Sequence, residues 1–187
     1  MFAAGHFLEL GLDGFRMDAA VHIYGAHEFK QQEDSEAANI TWWNEFAGYC
    51  ESINPDVYLE GEVWQDDKVL ENYVQPFDTK FDFAIQQKIL NCVQKGMAVP
   101  GFGDSLSVAI ENIQNKYDGV DVNYLNGVFG ANHDQDRIAS SVNSLDKARQ
   151  IAAVYMTLPG NPYIYYGEEL GMYGSKPDEM IRTPFLW

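Results

Sequence analysis

The stretch at 11–24, GLDGFRMDAAVHIY, constrains what this chain can fold into more than any other. It opens as a turn at Gly11, Asp13 and Gly14, then runs into a short, mostly apolar segment holding Arg16 and Asp18. Residues two apart on a strand point to the same face. Two ionisable groups on one face of a buried strand are costly unless they pair or work. Two readings stay open at this point. The pair is a structural ion pair, or Asp18 is an aspartate kept ionised by the guanidinium for use as a nucleophile or electrostatic stabiliser.

The rest of the chain supplies the elements around that segment. Apolar residues at helical spacing over 2–10 predict a helix ending at Gly11, and 14–20 reads as the first strand. The polar, acidic run 26–39 reads as a surface loop. Ile40, Trp43, Phe46, Ala47, Cys50 and Ile53 form the stripe of an amphipathic helix. A second strand over 57–59 leads into Glu60-Gly61-Glu62, and a helical turn follows around 69–74. The alternation KFDFA at 80–84 predicts a third strand, with a helix after it to about Val93. Asp104 or Ser105 can cap a helix whose stripe is Leu106, Ala109, Ile110 and Ile113. Strands are expected at 124–130 and 162–166 and a helix at 145–158, with a turn-rich tail after Gly167. Short strands alternating with helices imply βα units and a parallel sheet. In such folds chemistry gathers at the C-terminal strand ends, where Asp18, Glu62, Asp134 and Glu168 fall.

Charge narrows the partners. With 12 Lys plus Arg against 28 Asp plus Glu, the formal charge is −16, which sets nucleic acid and anionic membranes aside. No apolar run approaches the ~18 residues of a membrane span. The first residues, MFAAGHFLELG, lack a basic n-region and do not read as a signal peptide. No compartment is named by the sequence. Cys50 and Cys92 show no metal spacing and read as buried thiols.

Retaining glycoside cleavage needs two carboxyls about 5 Å apart, one a nucleophile and one a proton donor. The donor needs an aromatic, partly dry pocket to hold its proton near neutrality. Glu62 is followed by Val63-Trp64, which suits a donor, although GEVW also suits a capped turn. Asn132-His133-Asp134 offers side chains to grip sugar hydroxyls and a charge for a developing oxocarbenium ion. A metal site or a helix cap would use the same residues.

Taken together and in order, these stretches resemble the α-amylase family of glycoside hydrolases. GFRMDAAVH resembles the family's fourth-strand motif, LEGEVW its fifth and FGANHD its seventh. GNPYIYYGEELGM resembles the segment around the eighth strand, and KPDEMIRTPFLW the stretch beyond it. The resemblance implies an α/β fold, a partial TIM (β/α)8 barrel holding roughly strands four to eight, with residues 1–187 as one incomplete domain. It implies retaining hydrolysis of α-1,4 bonds in starch or malto-oligosaccharides. It also implies roles: Asp18 the nucleophile, Glu62 the general acid/base and Asp134 the transition-state stabiliser, all at one sheet edge. Arg16 orients the nucleophile, and His133 and Arg137 contact the sugar on the non-reducing side. His22 lies near the acceptor side and Trp64 against substrate. In members that bind Ca2+, the backbone oxygen at the His22 position can be a ligand.

Two departures from the family pattern stand out. Val21 stands where many α-amylases have Lys before the motif's His. The family's first motif, an Asp-containing strand end finishing in Asn-His, does not occur ahead of Phe2. A complete barrel typically needs ~250 residues, so the C-terminal part of one is expected. Alternatives are an α-1,6-glucosidase or glucosyl-transferring relative, or a non-catalytic truncated fragment.

Overall fold

A computed structural model describes residues 1–25, 32–65, 67–95 and 105–187. The chain divides into two compact units. Unit 1 is Met1–Phe81 with Asn115–Leu125, and unit 2 is Asp82–Gln114 with Asn126–Trp187.

Unit 1 begins with α1 (Phe2–Glu9) and β1 (Gly14–Met17), and a 3-10 turn follows at Ala20–His22. It continues through α2 (Gln32–Glu51), β2 (Tyr58–Gly61), α3 (Asp67–Asn72) and β3 (Thr79–Lys80). The three strands form one parallel sheet in the order β1-β2-β3, with Gly14 opposite Tyr58, Met17 opposite Gly61 and Gly61 opposite Lys80. Close approach explains a glycine here: a Cβ at Gly61 would lie 2.6 Å from the Phe77 ring. The core is aromatic, with Trp43 packed on Phe77 at 5.1 Å and on Phe46 at 5.6 Å. The Trp43 indole donates to the Ala20 carbonyl at 2.7 Å, so a core residue of α2 pins the turn that follows β1. Lys80 is fully buried, its ammonium over the Tyr117 ring at 3.7 Å and donating to the Tyr124 hydroxyl at 3.0 Å.

Unit 2 holds α4 (Phe83–Lys95), β4 (Gly127–Phe129), α6 (Ile138–Val142), α7 (Leu145–Tyr155), β5 (Asn161–Tyr163) and α8 (Asp178–Ile181). Helix α5 (Leu106–Asp118) belongs to it as far as Gln114. β4 and β5 pair in parallel, Gly127 opposite Asn161 and Phe129 opposite Tyr163. Phe83 meets Phe129 edge-on at 5.1 Å among the buried side chains Ile85, Ile89, Ile138, Ile151 and Tyr155. Parallel βα units are what a (β/α)8 barrel is assembled from.

Several expectations need correction. The strands form two sheets among the described residues, not one. β1 stops at Met17 rather than Ala20, because Ala19 sits in the left-handed region (φ 47, ψ 47). The run 32–39 is helical, not loop: Gln, Glu and Ala are good helix formers, and Asn39 is buried with its side chain bonded to Tyr24 and Val21. Residues 26–31 lie outside the described residues, as does Asp104. Ser105 caps α5, its hydroxyl accepting from the Val108 amide at 3.4 Å. KFDFA yields only the end of β3, since Asp82 accepts from the Ile85 amide at 2.8 Å and so starts α4 at Phe83. The strands expected at 124–130 and 162–166 contract to Gly127–Phe129 and Asn161–Tyr163, and α7 ends at Tyr155 rather than at 158. α6 and α8 were not anticipated. Cys50 is buried but Cys92 only partly so. Among the described residues no helix is long and apolar enough to cross a membrane.

Candidate active site

In unit 1, β1 and β2 deliver charged groups to their C-terminal ends. Arg16, on β1, points one terminal nitrogen at Asp18 and the other at Glu62, the latter at 2.7 Å. The pair expected from spacing is therefore a triad that shares one guanidinium. Glu62 is nearly buried, with 9% of its side chain exposed, whereas 77% of the Asp18 side chain is open to solvent. The second Glu62 oxygen accepts from the Ala19 amide at 3.1 Å. Backbone bonds reinforce the register: the Glu62 amide donates to Met17 at 2.9 Å and the Ala20 amide to the Glu62 carbonyl at 3.0 Å. Ala19 thus holds a left-handed backbone while its own amide faces the carboxylate. An L-residue there carries about 1–2 kcal/mol of steric cost, which the surrounding bonds hold in place. Trp64, which follows in the chain, is half exposed.

His22 ends the 3-10 turn and borders a cleft of about 140 Å3 that Asn39, Gln65 and Tyr73 also line. The Asn39 side chain is committed to backbone, accepting from the Tyr24 amide at 2.7 Å and donating to the Val21 carbonyl at 2.8 Å. Among the described residues no three His, Cys, Asp or Glu side chains gather as metal ligands.

Unit 2 places His133 and Asp134 in the loop after β4, with the imidazole Nε2 3.1 Å from one Asp134 oxygen. The other oxygen accepts from Arg182 at 2.7 Å, and the Arg182 Nε donates to the His133 carbonyl at 2.9 Å. Arg182 lies 48 residues from Asp134, and the KPDEMIRTPFLW stretch that holds it gives no local sign that the two side chains meet. Arg137 is completely buried, its guanidinium 4.7 Å from the Tyr165 ring and 4.7 Å from the Tyr166 ring, which meet each other edge-on. It donates to the Tyr166 carbonyl at 2.7 Å, so its guanidinium lies inside unit 2 rather than on a surface open to sugar.

Glu168, which the sequence marks only as an acid after a strand, is strongly perturbed. Burial pushes its carboxyl up to about 7, opposed by the Tyr155 hydroxyl, by the nearby Ala131 and Tyr165 backbone and by the Arg137 charge. Tyr155 donates to it at 3.0 Å, and burial together with the Glu168 charge raises the Tyr155 pKa, keeping that hydroxyl a donor. A cleft of about 380 Å3 lies against α7, with Leu145, Ala152, Ile164, Leu170 and Glu168 in its walls. None of His133, Asp134, Arg137 or Arg182 lines it.

Parallel strands whose C-terminal ends carry clustered carboxylates held by arginine define a class, the parallel α/β proteins with an acidic strand-end site. Within it, the sequence matches the family model for the α-amylase catalytic domain over residues 2–184. This chain belongs to the α-amylase family. It is 41% identical over 187 residues to α-amylase 3 of Dictyoglomus thermophilum, covering 98% of this chain and 34% of that protein. It is 34% identical to a 4-α-glucanotransferase of Thermotoga neapolitana, covering 97% and 37%. The crystal structure of an α-amylase from H. orenii superposes with a TM-score of 0.85 at 37% identity, covering all of this chain and 36% of that one. The chain spans about a third of the length of the curated relatives it matches.

Proposed function

We propose that this chain carries the nucleophile and the acid/base of a retaining hydrolase of α-1,4 bonds in starch or malto-oligosaccharides. The observation that carries this reading is the shared guanidinium. One planar group holding Asp18 and Glu62 on its two terminal nitrogens favours the ~5 Å carboxyl spacing of retention over the wider spacing of inversion. Their environments also differ as the two roles require. Asp18 lies against the Arg16 guanidinium with most of its side chain open to solvent, free to attack the anomeric carbon. Glu62 is sheltered, suited to protonating the leaving oxygen and then taking a proton from the water that releases the sugar. Asp134 takes the charge-stabilising role that the family resemblance gives it, with His133 beside it for the sugar. The implied partner is an α-glucan.

The test is the stereochemistry of cleavage. A malto-oligosaccharide incubated with the protein should release the α-anomer first, read by proton NMR before mutarotation. Asp18→Asn and Glu62→Gln should each lower turnover by at least about a thousandfold. First release of the β-anomer, or near-parent rates in either variant, would overturn the reading. Glucosyl transfer is the second reading, favoured by the 4-α-glucanotransferase relative from Thermotoga. Products longer than the substrate would establish it.

A further inference from the structure

The Asp134 carboxylate is held from two directions, and the shorter contact comes from Arg182, in the KPDEMIRTPFLW stretch rather than in the motif that carries Asp134. Arg182 donates through Nε to the His133 carbonyl at 2.9 Å and through Nη2 to Asp134 at 2.7 Å. One planar group therefore fixes the backbone at 133 and the carboxylate at 134 together. His133 reaches the remaining oxygen at 3.1 Å.

Arg182 is itself built into place. Asp178 accepts from it at 2.8 Å, and Lys176 pairs with Asp178 in turn. The residues either side of Arg182 are clamped by adjacent tyrosines: the Tyr165 hydroxyl donates to Ile181 at 3.0 Å and the Tyr166 hydroxyl to Thr183 at 2.7 Å. Ile181 is fully buried. Three further bonds tie the segment to the loop that carries Asp134 and to α6 just after it. The Arg137 amide donates to Gly174 at 2.9 Å, the Gly174 amide to the Ser140 hydroxyl at 2.8 Å, and the Lys176 amide to Asp136 at 2.7 Å. An isolated ion pair this exposed would contribute little to stability. So many supports for one arginine make sense if orientation, not stability, is what it supplies.

We propose that Arg182 is a positioning residue for Asp134: it fixes the carboxylate's rotamer so that its charge stays where positive charge develops on the sugar. The proposal rests on the reading of Asp134 given above. Aligning one charge in advance affects the chemical step more than binding, and a misplacement of about 1 Å can cost two orders of magnitude.

The experiment compares Arg182→Gln, Arg182→Lys and Asp134→Asn with the parent chain. Three-bond couplings to the Asp134 carboxyl carbon report its χ1, and steady-state kinetics on a malto-oligosaccharide separate kcat from KM. The parent should show one rotamer. Arg182→Gln should average it and lower kcat about 10- to 100-fold with KM within about twofold. Arg182→Lys keeps the charge but loses the fork, and it should recover part of kcat. It also serves as the folded comparison should Arg182→Gln not fold. If Asp134→Asn leaves turnover unchanged, the role given to Asp134 falls, and the positioning role with it. If Asp134→Asn abolishes turnover while the folded Arg182 variants keep a single rotamer and the parent kcat, only the positioning role falls.

Discussion

Glu168 makes the stability of this protein depend on pH in a direction opposite to that of an ordinary ion-paired carboxylate. Its folded-state value near 7 lies above the ordinary value of 4.5 because burial penalises the charged form. Between those two values the folded state binds more protons than the unfolded one, so stability falls as pH rises. Each unit between them corresponds to 1.36 kcal/mol, so the full penalty above pH 8 is about 3 kcal/mol. Between pH 5 and pH 8 the part that develops is roughly 2 to 3 kcal/mol. Glu168→Gln removes the titration and keeps an acceptor for the Tyr155 hydroxyl, which lies at 3.0 Å. The amide also introduces a donor where the Arg137 charge and the nearby backbone favour an acceptor, a cost independent of pH. The slope is therefore the cleaner quantity. Urea denaturation at pH 5, 6, 7 and 8, followed by circular dichroism, should show the variant losing about 2 kcal/mol less than the parent across that range. Parallel pH dependences within about 0.5 kcal/mol would refute the argument, because the buried carboxyl would then not be titrating there.

Arg16→Gln leaves the nearly buried Glu62 without its counter-charge; the loss should fall between the exposed and buried limits for ion pairs, about 2–3 kcal/mol by urea denaturation at pH 7. A loss under about 0.5 kcal/mol would show that the shared guanidinium is not holding Glu62. Ser144 caps α7 by accepting from the Lys147 amide at 3.3 Å. Ser144→Ala should therefore cost about 1 kcal/mol and lower the thermal midpoint by roughly 2–4 °C, with no change in the pH dependence.

Local signals made much of the fold legible. The stripe from Ile40 to Ile53 marks α2, which ends at Glu51, and Ser105 marks the start of α5. The misreadings have local causes as well. KFDFA has the period of a strand, but a single aspartate whose side chain reaches the Ile85 amide turns it into a helix start. Gln32–Asn39 is polar enough to read as loop, yet polarity does not oppose helix when the residues are Gln, Glu and Ala. The buried Asn39, bonded to Val21 and Tyr24, is a tertiary commitment that composition does not reveal.

The two halves of the candidate chemistry differ in how far apart their parts lie along the chain. Arg16 and Asp18 are two residues apart, and strand geometry alone puts them together. Glu62 joins them because β1 and β2 pair in parallel with Met17 opposite Gly61, which brings the residue after each strand to the same edge. A parallel register converts two local motifs into one cluster. Unit 2 has no such shortcut around Asp134. Its supports, Asp178 and Arg182, come from the start of α8 and the residue just after it, where no strand period fixes which side chain points where. Glu168 is likewise perturbed by burial, a property of packing rather than of its neighbours in sequence. Candidate carboxylates can thus be read from strand ends. The groups bonded to Asp134 reach it across more than forty residues of sequence, and those become visible only once the chain is folded.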